Sequence, residues 1–531
     1  MPTDCISYQD SGYFTPLMND YLNQKKELES LYNRFPSLEN FAEQIIEKQA
    51  NYTDANRAVL VSALREQYKD VKSSELNTSN ITALEESNTF TVTTGHQLNL
   101  FTGPLYFLYK IISTINLTKE LKAAYPDKNF VPIYWMATED HDFDEINYFN
   151  FKGKKIQWNK ESFGPVGRLS TDGLDKVFEV YAQELGIGKN AEELKNLFET
   201  SYLKHSNLAE ATRFLANALF GSYGLVILNA DDKKLKKAFI PYVKEELLRQ
   251  TSHQKVAETS ALLSAYKIQV NPREINLFYI EDDLRERIIL EEGMYLVNNS
   301  EITFTEKELM FELEQHPEKF SPNVIMRPLY QEVILPNLCY IGGGGELAYW
   351  LELKSYFEAS RITFPALLLR NSVLLATEKQ AEKADKLGLS WNDLFLKQFD
   401  LKDKIVRKES GFTLDFSEQK KFLQEQFDRL REMASQTDVS FIGAVNAQET
   451  KQIKGLNNLE KRLIKAEKKQ HVELLERITD LQNELFPKQS LQERTGNFSE
   501  FYLSNGSAMV EELFKALQPL DTNFTIKILK N

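Results

Sequence analysis

The sequence predicts an α/β fold with a parallel-sheet core, inserted connecting segments and a separate α-helical antiparallel coiled coil. Three observations predict it. An apolar, β-branched run at 90–94 turns at Gly95-His96-Gln97 into a helix-forming run at 103–121. A second buried-type strand follows at 131–137, which completes a βαβ unit because parallel strands require a long crossover. Residues 416–486 are rich in charge and poor in glycine, with leucine and isoleucine at alternating three- and four-residue steps.

The first 151 residues are predicted to form a helical layer and the first half of the core. Residues 1–88 place apolar side chains at helical spacing, for example at Leu28 and Leu31, and we expect them to pack on the sheet. Residues 89–151 contain the βαβ unit, and polar residues follow each of its strands. Ligands of open parallel sheets bind beyond the carboxyl ends of the strands, so these two polar segments are expected to face one cleft.

The middle of the chain is predicted to hold insertions and then the second half of the core. Residues 152–320 contain inserted connecting segments and further core elements, among them an apolar strand at 223–229. Asp231 and Asp232 most simply begin the helix at 233–248. Residues 321–400 form the second half of the core and a glycine loop, with strands expected at 323–329, 337–341 and 365–369.

The C-terminal third is predicted to leave the core and return to it. Residues 401–490 form the coiled-coil domain, with an interruption near Gly443 and a stutter between Leu463 and Leu474. Its apolar stripes are too long for a single hairpin to cover, which predicts a homodimer through the coiled coil. Residues 491–531 regain glycine and aromatic side chains, and the alternation at 524–529 is typical of a half-buried strand that rejoins the core.

Composition excludes several classes of protein. The chain has 531 residues and a net charge of −13, and no long Lys/Arg block stands before the C-terminal third, which disfavours nucleic-acid binding. No apolar run is long enough to cross a bilayer and no secretory signal is evident, so we expect a cytoplasmic protein with no membrane partner. Two cysteines, Cys5 and Cys339, exclude a disulfide framework and a thiolate-rich zinc site.

Two glycine-containing turns are predicted to bind a nucleotide. Gly95, His96 and Gln97 stand where a strand gives way to a helix, and unpaired amides at such a place favour phosphate. His96 would neutralise charge on the phosphates; the alternative is a hydrogen-bonded core histidine. The run Gly342-Gly343-Gly344-Gly345 removes side chains where a ligand or another backbone comes close. Its alternative is a flexible turn, because its spacing matches neither the dinucleotide fingerprint nor a Walker loop.

The acidic run that follows the strand at 131–137 has three interpretations: contacts to a substrate amine or sugar, a divalent-metal site, or a solvated strand end. We favour the first, with Glu139, Asp140 and Asp142 as contacts and with His141 positioning the substrate or acting as a base. His96, Asp140 and His141 are therefore the predicted catalytic residues.

Polar side chains of the second half of the core complete the predicted substrate site. Arg327 and Gln331 precede the glycine run, Glu346 follows it, and Arg370 follows the last strand. An arginine at the carboxyl end of a strand suits bidentate contact with a carboxylate or a phosphate. Surface ion pairing is the alternative interpretation for both arginines.

Together these motifs resemble the BshC family, the cysteine-adding enzymes of bacillithiol biosynthesis, over nearly the whole chain. The resemblance lies in Thr94-Gly95-His96-Gln97, Phe101 to Tyr106 with Lys110, Trp135 with Glu139 to Phe143, Arg327-Pro328-Leu329 with Gln331, and Gly342 to Trp350. It implies a Rossmann-like core with connecting segments, similar to that of class I aminoacyl-tRNA synthetases, and an added coiled-coil domain.

The resemblance also implies an activity. It predicts a ligase that joins L-cysteine to the amine of glucosaminyl-malate through an amide bond, in the last step of the pathway. Activation of a carboxylate commonly uses ATP, so ATP or another nucleotide is the expected cofactor, with Mg²⁺ as an optional companion and no zinc. A Lys-Met-Ser-Lys-Ser signature is absent from the sequence, which leaves open whether ATP or another donor drives the reaction.

Two other functions stay open at this point. A metal-dependent phosphoester hydrolase would use the acidic run at 139–145, and a non-catalytic scaffold would use the coiled coil. Basic side chains at 451–469 favour the scaffold, but Glu460 and Glu467 lie among them, which is typical of a solvated helix face. We therefore expect small-molecule substrates and no nucleic-acid partner.

Overall fold

The computed structural model describes residues 4–530 of the chain. These residues divide into two compact units, one of residues 376–490 and one that joins the residues before 376 to those after 490. The predicted start of the coiled-coil domain at residue 401 lies inside the first of these units. In the described part of the chain, no helix is both long enough and apolar enough to span a bilayer.

The residues before the core form one strand and a helical layer: β1 (Asp4–Ser7), α1 (Tyr8–Ser11), α2 (Pro16–Leu22), α3 (Leu38–Asn51), α4 (Asp54–Gln67) and α5 (Glu75–Ala83). All five helices begin at a hydroxyl side chain. Each of these side chains accepts a hydrogen bond from the backbone amide three residues further on: Ser7, Thr15, Ser37, Thr53 and Ser74. Such caps satisfy amides that have no partner within the helix.

The first half of the core and its insertion run as follows: β2 (Thr89–His96), α6 (Tyr106–Ala124), β3 (Asn129–Met136), α7 (Phe143–Ile146), β4 (Tyr148–Phe151), β5 (Lys154–Gln157), α8 (Leu174–Leu185), α9 (Lys189–Phe198), α10 (Leu208–Phe220) and β6 (Val226–Asn229). The predicted βαβ unit is confirmed, because β2 and β3 pair in parallel with His96 opposite Met136. Helix α6 connects these two strands and is buried along most of its length, which explains its nearly continuous apolar sequence.

The next elements are α11 (Lys233–Arg249), α12 (Thr251–Leu262), β7 (Leu277–Glu281), β8 (Leu284–Glu291), β9 (Met294–Val297), β10 (Thr303–Phe304), α13 (Glu306–Gln315), β11 (Phe320–Pro322), α14 (Met326–Ile334), β12 (Asn337–Gly342), α15 (Gly344–Leu351), α16 (Lys354–Ser360), β13 (Ala366–Leu369) and β14 (Val373–Thr377). As predicted, Asp232 caps α11, accepting hydrogen bonds from two backbone amides.

The strand predicted at 323–329 is wrong, because α14 occupies most of this segment. The side chain of Asn323 accepts hydrogen bonds from the backbone amides of Ile325 at 2.9 Å and Met326 at 3.3 Å, and this turn starts the helix. The buried residues Met326, Leu329 and Val333 recur at helical spacing rather than at every second position.

Five strands form one parallel sheet in the order β13-β12-β2-β3-β6. This is the order of a Rossmann fold: the first strand lies in the middle, the next two lie on one side and the last two on the other. The direction of winding reverses between β2 and β12. At such a switch point the connections diverge, which opens a crevice beyond the carboxyl ends of the two strands.

Three further sheets accompany this one. Strands β7 to β11 form an antiparallel sheet in the order β10-β9-β8-β7-β11, and β4 pairs with β5 as a hairpin. After the 376–490 unit the chain continues with α23 (Gln492–Thr495), α24 (Phe498–Asn505), α25 (Ala508–Ala516) and β15 (Asn523–Leu529). The predicted return to the core is confirmed, because β15 pairs with β1 in a three-stranded sheet of order β1-β15-β14.

The 376–490 unit is helical, with α17 (Glu378–Lys386), α18 (Trp391–Phe395), α19 (Gln398–Glu409), α20 (Ser417–Ala434), α21 (Val439–Gln470) and α22 (Val472–Leu485). Helices α20 and α21 lie side by side across a short turn, and Phe427, Ala434 and Val445 form their buried seam. The predicted antiparallel helical hairpin is confirmed. A helix break at His471 falls where the sequence predicts a stutter.

The interruption predicted near Gly443 is wrong. Gly443 lies inside α21, and the turn between the two long helices comes earlier, at 435–438. Asp438 ends that turn by accepting a hydrogen bond from the backbone amide of Ser440 at 2.8 Å. One interior glycine costs a helix only about 1 kcal/mol relative to alanine, which packing against α20 offsets.

Candidate functional site

A cleft of about 960 Å³ opens at the carboxyl ends of the parallel strands. Its lining includes the turns after β2, β3 and β12 and the residue that follows β13. Residues from the antiparallel sheet, among them Phe278, Arg285 and Arg287, form another part of its wall. The expectation that the segments after β2 and β3 face one cleft is confirmed.

Most of the predicted site residues line this cleft: Gly95, His96, Gln97, Glu139, Asp140, Arg327, Gly343, Gly344, Gly345, Glu346 and Arg370. Four predicted residues do not line it, namely His141, Asp142, Gln331 and Gly342.

His96 is the last residue of β2 and is 7% exposed. It does not lie at the mouth of a helix as predicted, because α6 begins only at Tyr106. Its ring packs against Phe107 and Tyr106, with centroids 4.9 and 5.5 Å away. Burial, with the nearby charges of Lys110 and Arg370, holds the pKa of His96 well below its usual value, so the imidazole is neutral. Its Nε2 atom is buried and has no hydrogen-bond partner among the described residues.

Lys110 links the two turns at the switch point. It extends from α6 and is buried; its Nζ donates to the carbonyl oxygen of Gly95 at 2.8 Å and lies 2.5 Å from Oε2 of Glu346. Glu346 also accepts hydrogen bonds from the amide of Gly343 at 2.8 Å and the hydroxyl of Tyr340 at 2.9 Å. These partners outweigh burial and lower the pKa of Glu346, so the pair is ionised.

The glycines of this run differ in what a side chain at each position would contact. A Cβ at Gly342 would come within 2.9 Å of the Tyr340 ring, so this glycine serves packing and lies outside the cleft. A Cβ at Gly344 would lie 3.1 Å from Met18, whereas one at Gly345 would meet nothing within 4 Å. Gly343 is the N-cap of α15, and a ligand approaching this turn meets backbone rather than side chains.

Arg370 follows β13 and is buried at the edge of the glycine turn. Its Nη2 donates to Glu493 at 2.6 Å, and its Nη1 donates to the carbonyl of Asn371 at 3.0 Å. Its Nε is buried without a partner, and a Cβ at Gly343 would lie 3.8 Å from it. Arg370 is therefore not a surface ion pair, and its unused N–H group lies beside the glycine turn.

Arg327 and Gln331 lie on α14 rather than at the end of a strand, which corrects the predicted placement. Arg327 lines the cleft and lies over the rings of Tyr340 and Trp350, 5.7 and 5.9 Å from their centroids. Gln331 is buried behind it, accepting a hydrogen bond from Arg327 at 3.0 Å and donating to Glu332. Gln331 thus orients Arg327 without reaching the cleft.

Carboxylates of the acidic run after β3 already have partners within the protein. Glu139 forms a buried ion pair with Lys236, which also lies 3.8 Å from Asp231. Asp231 in turn binds Arg168 through two hydrogen bonds, of 2.8 and 3.0 Å. Burial raises the pKa of Glu139 against the opposing charge of Lys236. Glu139 lines the cleft, but part of its charge is already neutralised.

Asp140 is the best-placed free carboxylate of this run. It accepts a hydrogen bond from Gln97 at 2.9 Å and one from the amide of His141 at 2.8 Å. Although burial raises its pKa, the nearby His141 side chain, these bonds and the charge of Arg285 hold the pKa well below the usual range. Asp142, by contrast, is exposed and caps α7 by accepting from the amide of Glu145 at 3.3 Å.

His141 also lies outside the cleft lining, and its side chain is half exposed. Its Nδ1 lies 2.5 Å from Nη1 of Arg285. Because a guanidinium only donates, Nδ1 accepts this bond and the proton of the neutral imidazole stands on Nε2. An imidazole in that form can donate a hydrogen bond to a ligand but has no free nitrogen for a base, which favours the positioning role over the basic one.

The cleft is more basic than the protein around it. Seven cationic side chains line it against four carboxylates, in a chain with a net charge of −13. The cations are Lys110, Arg273, Arg285, Arg287, Arg327, Arg370 and Arg494. A concave site lined by one sign of charge attracts ligands of the other sign, so the cleft suits an anionic ligand.

Sequence reasoning assigned no role at this site to Lys110 or to Arg285. The role of Lys110 could have been inferred, because a lysine within the nearly continuous apolar run of α6 must be paired when the helix is buried. The role of Arg285 could not, because the charged residues at 282–287 are typical of a solvent-exposed strand. Within the described residues, no three or more His, Cys, Asp or Glu side chains are grouped so that they could hold a metal ion.

Comparison with known proteins agrees with the fold. Residues 1–371 match the family model described as the N-terminal Rossmann-like domain of bacillithiol biosynthesis BshC, and residues 373–529 match its C-terminal coiled-coil domain. A solved structure titled "putative arginyl t-RNA synthetase" from Campylobacter jejuni aligns over 83% of this chain and 97% of its own at 11% identity, but its TM-score of 0.22 supports no argument.

Similar proteins cover the whole chain. Proteins from Flavobacterium johnsoniae, Flavobacterium psychrophilum and Christiangramia forsetii are 65%, 61% and 59% identical to it, and each match covers 99% of both chains. All three carry the name "Putative cysteine ligase BshC". The predicted resemblance is confirmed, and the chain belongs to the BshC family of bacillithiol biosynthesis.

Proposed function

We propose that this protein is a cytoplasmic ligase that forms the amide bond between the carboxyl group of L-cysteine and the amine of glucosaminyl-malate, with ATP as the activating cofactor. Membership of the BshC family, and the ligase name of its similar relatives, support the reaction class. The substrates and the use of ATP are our assignment to this cleft.

The observation that carries the proposal is the pair of unpartnered nitrogens at the switch point. Nε2 of His96 and Nε of Arg370 are buried without partners in the part of the chain that the structure describes, and both residues line the cleft with the glycine turn at the start of α15. Buried polar atoms in proteins nearly always have a partner, so an unpaired set indicates one that binds from outside. A helix N-terminus, a guanidinium and a neutral imidazole together suit phosphate oxygens.

The chain's residues divide the reaction between two turns. At the switch point, the unpartnered nitrogens of His96 and Arg370 would hold the phosphates of ATP while the Lys110–Glu346 pair fixes the glycine turn. ATP bound there would supply a phosphoryl or nucleotidyl group to the carboxylate of cysteine, with ADP or pyrophosphate released. The amine could then displace the activated oxygen together with its phosphate group and lose a proton.

Asp140 has the properties needed to orient the amine in this scheme. Its carboxylate stays ionised because its pKa is lowered, and it lies at the end of the strand next to the switch point. An ionised carboxylate accepts hydrogen bonds from an ammonium or amine group and holds it near the acyl carbon. A carboxylate with a low pKa is a weak base, so we assign Asp140 to orientation rather than to proton removal.

The alternative of a metal-dependent phosphoester hydrolase gains no support from the acidic run. Glu139 faces Lys236, Asp142 caps α7, and Asp140 and Glu145 both accept hydrogen bonds from Gln97, so that within the described residues no three of these side chains are grouped to hold a metal ion. The proposal therefore routes no step through Mg²⁺.

Incubation of the purified chain with L-cysteine, glucosaminyl-malate and ATP tests this function. We expect a thiol product with the mass of the two substrates less one water, detected by mass spectrometry after alkylation of the thiol, together with one AMP or ADP for each product molecule. Omission of ATP should abolish the product. Product formation without any nucleotide, or none with ATP, would overturn the assignment.

We also propose that the chain forms a homodimer through the helices of the 376–490 unit. Met433 and Phe441 are 65% and 53% exposed near the tip of the α20–α21 hairpin, where a second copy would cover them. Association entropy opposes such a contact, so burial of several apolar side chains is needed. Light scattering should give twice the monomer mass for the intact chain and the monomer mass for Met433→Glu/Phe441→Glu. A monomeric intact chain would contradict the proposal.

A further inference from the structure

Arg285 presents an unused hydrogen-bonding edge in the cleft. Of its N–H groups, only those of Nη1 form a hydrogen bond within the described residues, to His141. Its Nε is buried without a partner, and Nη2 forms no hydrogen bond in the described structure. Nε and Nη2 share one edge of the guanidinium, and this edge binds a carboxylate through two parallel hydrogen bonds.

The guanidinium is held in place on its other sides. Its central carbon lies 3.9 Å from the centroid of the Phe278 ring, which fixes the plane of the group. The bond from Nη1 to His141 fixes its rotation within that plane. A fork that is already oriented loses little conformational entropy when it binds an anion.

A second cation lies on the same face of the strand. Arg287 follows Arg285 by two residues on β8, so both side chains project from one face of the antiparallel sheet, and both line the cleft. Arg287 pairs in register with Phe278, the residue on which Arg285 stacks. Its side chain forms no ion pair or hydrogen bond within the described structure. Two neighbouring guanidinium groups with free edges match a ligand that carries two carboxylates.

We propose that Arg285 and Arg287 form a dicarboxylate subsite that binds the acceptor substrate. The proposal rests on the proposed function, because it names the part of the acceptor that this wall of the cleft binds, namely its malyl group. It places these carboxylates at Arg285 and Arg287 rather than at Arg327 and Arg370, the two arginines that the sequence predicts to contact a carboxylate or a phosphate.

Position favours a carboxylate over a nucleotide phosphate at this subsite. The donors assigned to phosphate lie at the switch point between β2 and β12, whereas Arg285 is tied to His141 in the turn after β3. Asp140 and Glu139 line the cleft near this turn, and both interact electrostatically with Arg285. Carboxylates beside arginines repel a polyphosphate, but they suit an acceptor that has an amine as well as carboxylates.

Binding of L-malate alone tests the subsite without turnover. Calorimetry on the full chain should show malate binding that weakens about tenfold or more in Arg285→Lys, which keeps the charge but loses the fork, because a hydrogen bond to a charged group contributes about 1.5 kcal/mol or more. Arg287→Gln should weaken it as well. Arg249→Gln is the matched control, since Arg249 is exposed on α11 and pairs only with Glu245.

Binding of ADP and inorganic pyrophosphate to the same variants tests whether the subsite binds a carboxylate or a phosphate. We expect both to bind Arg285→Lys as they bind the unchanged chain, and the KM for the acceptor to rise while kcat and the KM for ATP stay nearly constant. Equal malate affinity in all variants, no malate binding to the unchanged chain, or a parallel loss of ADP binding would overturn the subsite. If malate binding depends on Arg285 but the unchanged chain makes no thiol product, the subsite is supported and only the proposed function is refuted.

Discussion

The turns at the switch point and the acidic turn after β3 differ in what they leave unsatisfied. At the switch point, nitrogen atoms of His96 and Arg370 are buried without partners beside a turn of glycines. After β3, Glu139 is paired with Lys236, Asp142 caps a helix, and Asp140 and Glu145 line the cleft with Gln97 as their shared hydrogen-bond donor. The acidic run is the more conspicuous motif in the sequence, but it leaves fewer polar groups available to a ligand.

This difference shows that the composition of a motif does not reveal its function. A run of acids attracts attention because carboxylates can bind metals or amines, but each carboxylate first binds whatever protein partner the fold brings near it. Lys236 lies far along the chain from Glu139, and no sequence pattern pairs them. Unsatisfied donors are the more direct sign of a ligand site.

The largest expected effect is at the switch point. His96→Ala should lower product formation by roughly 10²–10³-fold, because a preorganised donor to a developing oxyanion contributes about that factor. The fold should survive, since the ring contacts only the neighbouring Phe107 and Tyr106 among aromatic residues. Mass spectrometry of the product and circular dichroism of the variant check this.

His205→Ala is the matched control for this variant. His205 packs on Phe214 and bonds to backbone carbonyls of 200 and 201, outside the cleft lining. Its loss should leave product formation unchanged. Normal yield from a folded His96→Ala protein would remove the switch point from the mechanism.

The second effect concerns the pair that fixes the glycine turn. Glu346→Gln leaves Lys110 buried without a counter-ion and should destabilise the fold by about 3 kcal/mol at neutral pH. The pKa of Glu346 is lowered from 4.5 in the folded state, so its stabilising charge is present above that pH and is lost as the pH falls through the folded pKa. The difference in Tm between the two proteins should therefore shrink in acid.

Glu85→Gln provides the comparison for the Glu346 variant, because Glu85 pairs with Arg65 on the surface, where such pairs contribute about 1 kcal/mol or less. A Tm difference for Glu346→Gln as small as that for Glu85→Gln, or one that stays constant in acid, would show that the Lys110–Glu346 pair does not hold the turn.

The acidic turn should give the smaller loss of activity. Asp140→Asn should lower kcat about tenfold, since a hydrogen bond to a charged group contributes about 1.5 kcal/mol. Asp142→Ala is the control and should leave kcat unchanged, with at most about 1 kcal/mol lost from the helix cap. If a chelator reproduces the Asp140→Asn defect and a divalent metal restores the unchanged chain, a metal site replaces our assignment.

Much of the fold could be predicted because local sequence determines it. The β2–α6–β3 unit follows from an apolar strand, a turn and a long apolar helix, and β15 follows from alternation. The errors arose where the local signal was weak. Asn323 started a helix in a segment that resembled a strand, and Gly443 remained within a helix because packing against α20 outweighs one glycine.

The site could be predicted only in part, because its partners come from distant segments. The turns after β2 and β3 could be placed together, since parallel strands share a carboxyl edge. The pairing of Arg370 with Glu493 joins residues 123 positions apart, and Arg285 reaches His141 across 144. Such contacts depend on tertiary structure and cannot be inferred from residue spacing or composition.

Nucleotide binding by three forms of the protein tests most directly the claim that the switch point, and not the acidic turn, holds the phosphates. Calorimetric titration with ATP and Mg²⁺ should show binding to the unchanged chain, about tenfold or more weaker binding to His96→Ala, and unchanged binding to Asp140→Asn, because of these two residues only His96 is assigned a direct bond to phosphate. Equal binding to the unchanged chain and His96→Ala, or a loss confined to Asp140→Asn, would contradict the account.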